Sequence, residues 1–139
     1  CRPAGPRVRA YACWRGSVPL LVQEHSDLVN SAVCCIEARG FIFGPAIALA
    51  IGAKFIPLRK PGKLPGAVIS ENYTLEYGTD CLEMHVGAVE PGDRVVVVDD
   101  LVATGGTLSA AIKLLERAAA DVVECACLIG LPKFKDRYK

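Results

Sequence analysis

Four consecutive valines, Val95 to Val98, followed at once by Asp99 and Asp100, constrain this chain more than any other feature. An apolar run with no alternation suits a strand covered on both faces, as in the middle of a parallel sheet. Carboxylates at the C-terminal end of such a strand lie where open α/β sheets bind their ligands. Ala103, Thr104, Gly105, Gly106 and Thr107 then lead into a segment where Leu108, Ala111, Ile112, Leu115, Ala118 and Ala119 recur at helical spacing. The stretch reads as strand, acidic pair, glycine-rich turn and amphipathic helix in succession.

That succession has the physics of a phosphate cradle. Paired glycines reach backbone angles that bulkier residues resist, so neighbouring N–H groups can converge on one anion. The helix adds the positive end of its dipole and its unpaired N–H groups. Thr104 and Thr107 supply hydroxyl donors. Asp99 and Asp100 would repel a phosphate seated on them, so they serve sugar hydroxyls, a metal ion, or both. A nucleotide-triphosphate loop needs Gly-Lys-Ser/Thr, and a dinucleotide fold needs Gly-x-Gly-x-x-Gly after its first strand; neither occurs here.

At 139 residues the chain fits one domain, long enough to bury about two-thirds of its unfolded surface. With 52% apolar and 22% charged residues it is globular in composition, and a net charge of +1 gives no sign of a nucleic-acid partner. No apolar run is long enough to span a membrane as a helix. The seven cysteines form no Cys-x-x-Cys and there are two histidines, so a zinc site is not expected. The thiols read as reduced and largely buried, in an intracellular and cytoplasmic protein.

Residues 1–30 show no convincing period and read as an atypical, poorly ordered lead-in, with Pro19 to Val22 as a candidate edge strand. The missing initiator Met points to a fragment or processed product. Ser31 to Ile36 reads as a buried strand, and Phe41 to Ile51 as a helix buried on most sides with Pro45 in its first turn. Arg39 lies between them, well placed to grip a diphosphate by paired hydrogen bonds or else to pair with Glu37 or a neighbouring carboxylate. Ala53 to Leu58 reads as a strand. Arg59, Lys60 and Lys63 stand in a loop that two prolines and two glycines keep out of helix and central strand. Ala67 to Tyr77 and Cys81 to Val86 read as an exposed antiparallel hairpin around Gly78-Thr79-Asp80. His85 is expected to be structural. Asp121 to Leu131 reads as a last strand with Val123, Cys125, Cys127 and Ile129 on one face, before a charged tail, Lys133 to Lys139.

Several of these pieces together resemble the adenine phosphoribosyltransferases, members of the type I phosphoribosyltransferase family, in their plant and animal forms. They are Ile36-Glu-Ala-Arg-Gly-Phe-Ile-Phe-Gly44, Leu58-Arg-Lys-Pro-Gly-Lys-Leu-Pro-Gly66, Tyr73-Thr-Leu-Glu-Tyr-Gly78 and the Val95–Thr107 stretch, within a span from about Cys35 to Leu131. The resemblance implies an α/β fold: a mostly parallel sheet flanked by helices, with a phosphoribosyltransferase domain over 31–139 and an antiparallel hairpin flap at about 59–86. It implies conversion of adenine and 5-phosphoribosyl 1-diphosphate to AMP and diphosphate, in a homodimer. Asp99, Asp100 and Ala103 to Thr107 would bind the phosphoribosyl part, and Arg39, Arg59, Lys60 and Lys63 the diphosphate. Glu76 and Tyr77 would be the catalytic pair of the flap. Mg²⁺ would be held mainly by ligand oxygens, with Asp99 and Asp100 reaching it through water. The family's adenine hood has no counterpart in residues 1–34, which leaves an alternative: a non-catalytic or impaired subunit that still binds phosphoribosyl diphosphate.

Overall fold

A computed structural model of the protein describes residues 7–10, 23, 31–75, 77–102 and 105–130. The valine run lies in β6 (Arg94–Val102), the middle strand of a five-stranded sheet. Its neighbours are β2 (Ala32–Ile36) and β7 (Asp121–Gly130), and the edges are β3 (Lys54–Leu58) and β1 (Arg7–Ala10). All four pairings are parallel. A central parallel strand is covered on both faces, and Val95 to Val98 are all buried. Val96 and Val98 pack with Ile47, Ala48 and Ile51 of α1 (Gly40–Ile51). Val95 and Val97 pack on the other face with Leu108, Ala111 and Leu115 of α2 (Gly106–Arg117). Each such side chain contributes about 1.5–3 kcal/mol of burial.

The strand does not stop at the valines. It runs on through Asp99 and Asp100 to Val102, and Asp99 pairs with Cys127. The acidic pair is thus held by a sheet ladder rather than by a loop.

The second layer of the α2 face is a hairpin of β4 (Val68–Thr74) and β5 (Thr79–His85), antiparallel as expected. It is half core rather than exposed throughout. Tyr73, Leu82 and Met84 are buried in the same cluster as α2, while Glu83 and His85 on the alternate positions of β5 are only half-buried. Arg59 ties the hairpin to the end of β3 by two backbone bonds with Glu83, of 3.0 and 2.8 Å. The Arg117 guanidinium, at the end of α2, donates to the Ser70 carbonyl at 2.5 Å and to Glu71 at 3.0 Å. His85 Nε2 lies 2.8 Å from the Pro65 carbonyl oxygen.

Four local expectations need correction. Residues 1–30 show no period, yet Arg7–Ala10 pairs with β7; an edge strand draws its order from its neighbour's backbone. The α1 helix begins at Gly40, so Pro45 lies beyond its first turn. One face of that helix, including Ile42, Pro45, Ala46 and Leu49, is exposed, with Leu49 85% accessible. A register shift between Val95 and Val96 places a bulge in β7 opposite, so Val123 turns to the α1 face while Cys125 and Cys127 face α2. The thiols behave as small apolar groups: burial pushes Cys125 up to about 12 and Cys127 up to about 11. The Pro19–Val22 strand and the Lys133–Lys139 tail lie outside the described residues.

Candidate active site

The chain leaves β2 toward β3 on one side and leaves β6 toward β7 on the other. β2 and β6 are neighbours, so their C-terminal ends open a crevice where the strand order reverses, the usual ligand position in such sheets. A cleft of about 470 Å³ fills that place. The loop after β2 gives it Glu37, Ala38 and Arg39, and β6 gives Asp99, Asp100 and Leu101. Gly105, Thr107 and Leu108 come from the start of α2, Lys60 from the loop after β3, and Tyr73, Leu75 and Tyr77 from the hairpin.

Backbone shape brings these groups close. A Cβ at Gly40 would meet the Val98 carbonyl oxygen at 2.7 Å, so only glycine lets the β2–α1 loop press against β6. The Glu37–Ala38 peptide in that loop is cis. Gly105 caps α2 with φ of 79°, a left-handed conformation suited to glycine. The N-terminus of α2 therefore opens into the cleft beside the two acids.

Charge is arranged in linked pairs. Arg39 Nε lies 2.6 Å from Asp100 Oδ2, and the Asp100 N–H donates to Asp99 Oδ1 at 2.8 Å. Burial pushes the Asp99 carboxyl up to about 7; the bond from the Asp100 N–H opposes the rise, the Asp100 carboxylate adds to it, and Arg39 opposes it. Glu37 accepts from Arg59 Nε and Nη2, each at 3.3 Å, and from the Lys60 N–H and Lys63 Nζ, each at 2.8 Å. Burial alone would raise Glu37, but these bonds win and hold it down at about 2. Lys60 Nζ donates to Asp80 and, at 2.7 Å, to the Tyr73 hydroxyl, which itself donates to Asp80 at 3.2 Å. Burial works against the Lys60 charge, yet these bonds raise its pKa.

An acidic pair, a glycine-started helix and an arginine loop thus stand around one switch-point cleft. The family model for the phosphoribosyl transferase domain matches residues 19–137. Adenine phosphoribosyltransferase 5 of Arabidopsis thaliana is 64% identical over 129 residues, covering 93% of this chain and 68% of the relative. The chain belongs to the adenine phosphoribosyltransferase family. The chloroplastic adenine phosphoribosyltransferase 1 of the same plant is 63% identical, covering 91% of this chain and 52% of the relative. A crystal structure of adenine phosphoribosyltransferase from Rhodothermus marinus superposes with a TM-score of 0.81 at 48% identity, covering 88% of this chain and 70% of that one. The chain thus spans between about half and 70% of the length of these relatives. The family match begins before Cys35 and extends past Leu131, at both ends further than the quoted motifs reach.

Of the phosphoribosyltransferase residues expected from sequence, Arg39, Lys60, Tyr77, Asp99, Asp100, Gly105 and Thr107 line the one cleft. Gly106 opens α2 beside them. Arg59 and Lys63 are drawn to Glu37 rather than lining the wall. Glu76, Ala103 and Thr104 lie outside the described residues. Tyr77 is 93% exposed at the rim. Sequence reasoning missed Glu37 as the hub of the basic loop, and missed Tyr73 and Asp80 as holders of Lys60. Their partners lie 7 to 26 residues away, so no local pattern marks them. The sequence showed only a carboxylate two places before Arg39; that it meets the basic loop follows from β2 and β3 being neighbours.

Proposed function

We propose that this chain transfers the 5-phosphoribosyl group from phosphoribosyl diphosphate to adenine, giving AMP and diphosphate. The observation that carries the reading is the meeting of Asp99–Asp100, the Gly105 start of α2 and Arg39 around one cleft. The bond from the anomeric carbon to the diphosphate oxygen breaks, and the base nitrogen forms the new bond to that carbon. Positive charge develops on the ribose ring while negative charge leaves with the diphosphate, so the protein's part is fixed charge and positioning.

In this reading Ala103 to Thr107 hold the 5′-phosphate, where the backbone N–H groups of a helix start suit an anion. Asp99 and Asp100 meet the ribose hydroxyls. Arg39, Arg59, Lys60 and Lys63 take the diphosphate, Arg39 by a planar fork that matches phosphate oxygens. Glu76 transfers a proton near the base or stabilises charge there, with Tyr77 beside it. The hairpin closes over the ligands as a flap spanning about residues 59–86, keeping water from the activated ribose.

Mg²⁺ fits this site as a guest of the substrate. Asp99 and Asp100 offer hard oxygen donors at the cleft wall. Bound there, it would neutralise charge on the departing diphosphate. The exposed α1 face with Ile42 and Leu49 supports a homodimer. Free thiols at Cys34, Cys35, Cys81, Cys125 and Cys127 suit a reducing compartment such as the cytoplasm.

The deciding experiment is conversion of radiolabelled adenine to AMP with phosphoribosyl diphosphate and Mg²⁺, beside calorimetric titration of phosphoribosyl diphosphate alone. Turnover with adenine is expected. Turnover with hypoxanthine or guanine but not adenine overturns the choice of base. Binding without turnover overturns the catalytic reading. Within an active enzyme, Glu76→Ala should lower kcat about a hundredfold while changing ligand affinity little.

A further inference from the structure

Glu37 differs from the other acids of the site in how completely its acceptors are used. Oε1 receives Arg59 Nη2 and Lys63 Nζ; Oε2 receives Arg59 Nε and the Lys60 N–H. A carboxylate has about four lone-pair sites, so none is left for a substrate hydroxyl or a metal-bound water. The side chain is 9% exposed, and its own N–H donates to the Leu58 carbonyl at 2.9 Å. Glu37 is thereby sewn to the loop after β3 by both backbone and side chain. Two residues further on, the same turn presents Arg39 to the cleft.

Two cations, from Arg59 and Lys63, and the Lys60 backbone thus share one anchor, on the same turn that carries Arg39 to Asp100. The loop after β3 holds two prolines and two glycines and has no helix or ladder of its own beyond the Arg59 bridge to Glu83. A loop of that kind keeps long, flexible side chains in place only if something fixes them, and each unfixed rotamer-rich chain costs about 0.5–1.5 kcal/mol to order on binding.

We infer that Glu37 is a positioning residue for the diphosphate: it holds the Arg59–Lys63 loop in register with Arg39, so that cations from two loops converge on one leaving group. The inference rests on the reading above that these cations bind diphosphate. Glu37 carries no chemistry itself. Its single charge neutralises one of the two cations it gathers, so the loop it holds keeps a net positive charge.

The test is titration calorimetry on the full chain with Mg²⁺, using two ligands that share the phosphate cradle. Phosphoribosyl diphosphate needs both halves of the site; ribose 5-phosphate needs only the cradle and the acids. Glu37→Gln should weaken phosphoribosyl diphosphate about tenfold and leave ribose 5-phosphate within about twofold, the size expected from losing charge-assisted bonds that orient a ligand. Glu37→Asp, which keeps the charge but shortens its reach, should fall between the two. It also serves if Glu37→Gln fails to fold. A merely structural role would weaken both ligands together, and a role as competitor for the cations would tighten phosphoribosyl diphosphate; either result overturns the inference. Lys63→Met separates the underlying reading. If it leaves phosphoribosyl diphosphate unchanged, the basic loop is not the diphosphate site. If it weakens that ligand while Glu37→Gln does not, the inference about Glu37 alone falls.

Discussion

Asp99 shows what one buried acid does for both stability and binding. Its carboxyl is pushed up to about 7, mainly by burial, against the bond from the Asp100 N–H and the Arg39 charge, with the Asp100 carboxylate adding to the rise. In the unfolded chain an aspartate titrates near ~3.9. Below that value it is protonated in both states and costs nothing. As pH rises toward about 7 the unfolded state ionises first, so folding stability falls across that window and levels off above it. The denaturation midpoint should therefore decline between about pH 5 and pH 7, and Asp99→Asn should flatten the decline. A slope unchanged in the variant would place its cause elsewhere. Glu37 and Asp80 act in the opposite sense, since their lowered values favour folding above the unfolded range and lose that benefit as pH falls below it. For binding, Asp99→Asn with Asp100→Asn should weaken phosphoribosyl diphosphate at least about a hundredfold by calorimetry, the sum of two charge-assisted contacts. The position of both acids was legible from four valines and a strand end. Their electrostatics were not, because the raised Asp99 and the saturated Glu37 depend on groups brought in by tertiary structure.

At the scale of elements, the parts that the sequence betrayed are those whose side chains alone dictate the answer. Continuous apolar runs gave β2 and β6, and the 3.6 period gave α2 with Leu108, Ala111 and Leu115 inward. β1 escaped because four residues, Arg-Val-Arg-Ala, are too short to display a period, and the bulge in β7 escaped because it shows only as a shift of pairing. Two close fits make testable features of these elements. A Cβ at Gly44 would fall 1.7 Å from Cys35 Sγ, so α1 docks on β2 through the absence of a side chain. Gly44→Ala should destabilise by about 1–3 kcal/mol or more in urea denaturation, and by less in a Cys35→Ala background. Equal costs in both backgrounds would mean that the clash is not with the thiol. At the other helix, the Ala119 N–H donates to Glu116 and the Ala120 N–H to Leu115, a Schellman-type close with Ala119 at φ of 59°. That left-handed position costs a residue with a Cβ about 1–2 kcal/mol, and glycine much less. Ala119→Gly should raise stability by about 1 kcal/mol, less whatever the added unfolded-state freedom takes back. A loss of stability would show that the turn is held by more than its backbone angle.

The whole molecule is organised by one topological event, the reversal of strand order between β2 and β6, and both the site and the exposed surface follow from it. On one side of the reversal, β6 and α2 supply the acids and the helix start proposed as the phosphate cradle; on the other, the β2–α1 loop supplies Arg39 and Glu37. The hairpin covers the α2 face of the sheet, so that face is closed within the chain. Among the described residues the α1 face has no such cover. Ile42, Pro45, Ala46 and Leu49 recur at helical spacing on the outside of α1, and Ile42 is 64% and Leu49 85% exposed. This asymmetry is why α1 reads in sequence as a core helix: it is apolar all round, yet its chain buries only half of it. A stable interface takes about 800 Å² from each partner, with an apolar centre, and a helix face of this composition next to the Arg39 loop suits the proposed homodimer. Placing a charge in that centre should break the pair without touching the fold, because both side chains already face water in the single chain. Leu49→Glu combined with Ile42→Glu should sediment as a monomer at concentrations where the unaltered chain sediments as a dimer, with an unchanged far-ultraviolet circular dichroism spectrum. A dimer that survives both charges would move the interface away from α1, and an unaltered chain that sediments as a monomer would remove the dimer itself.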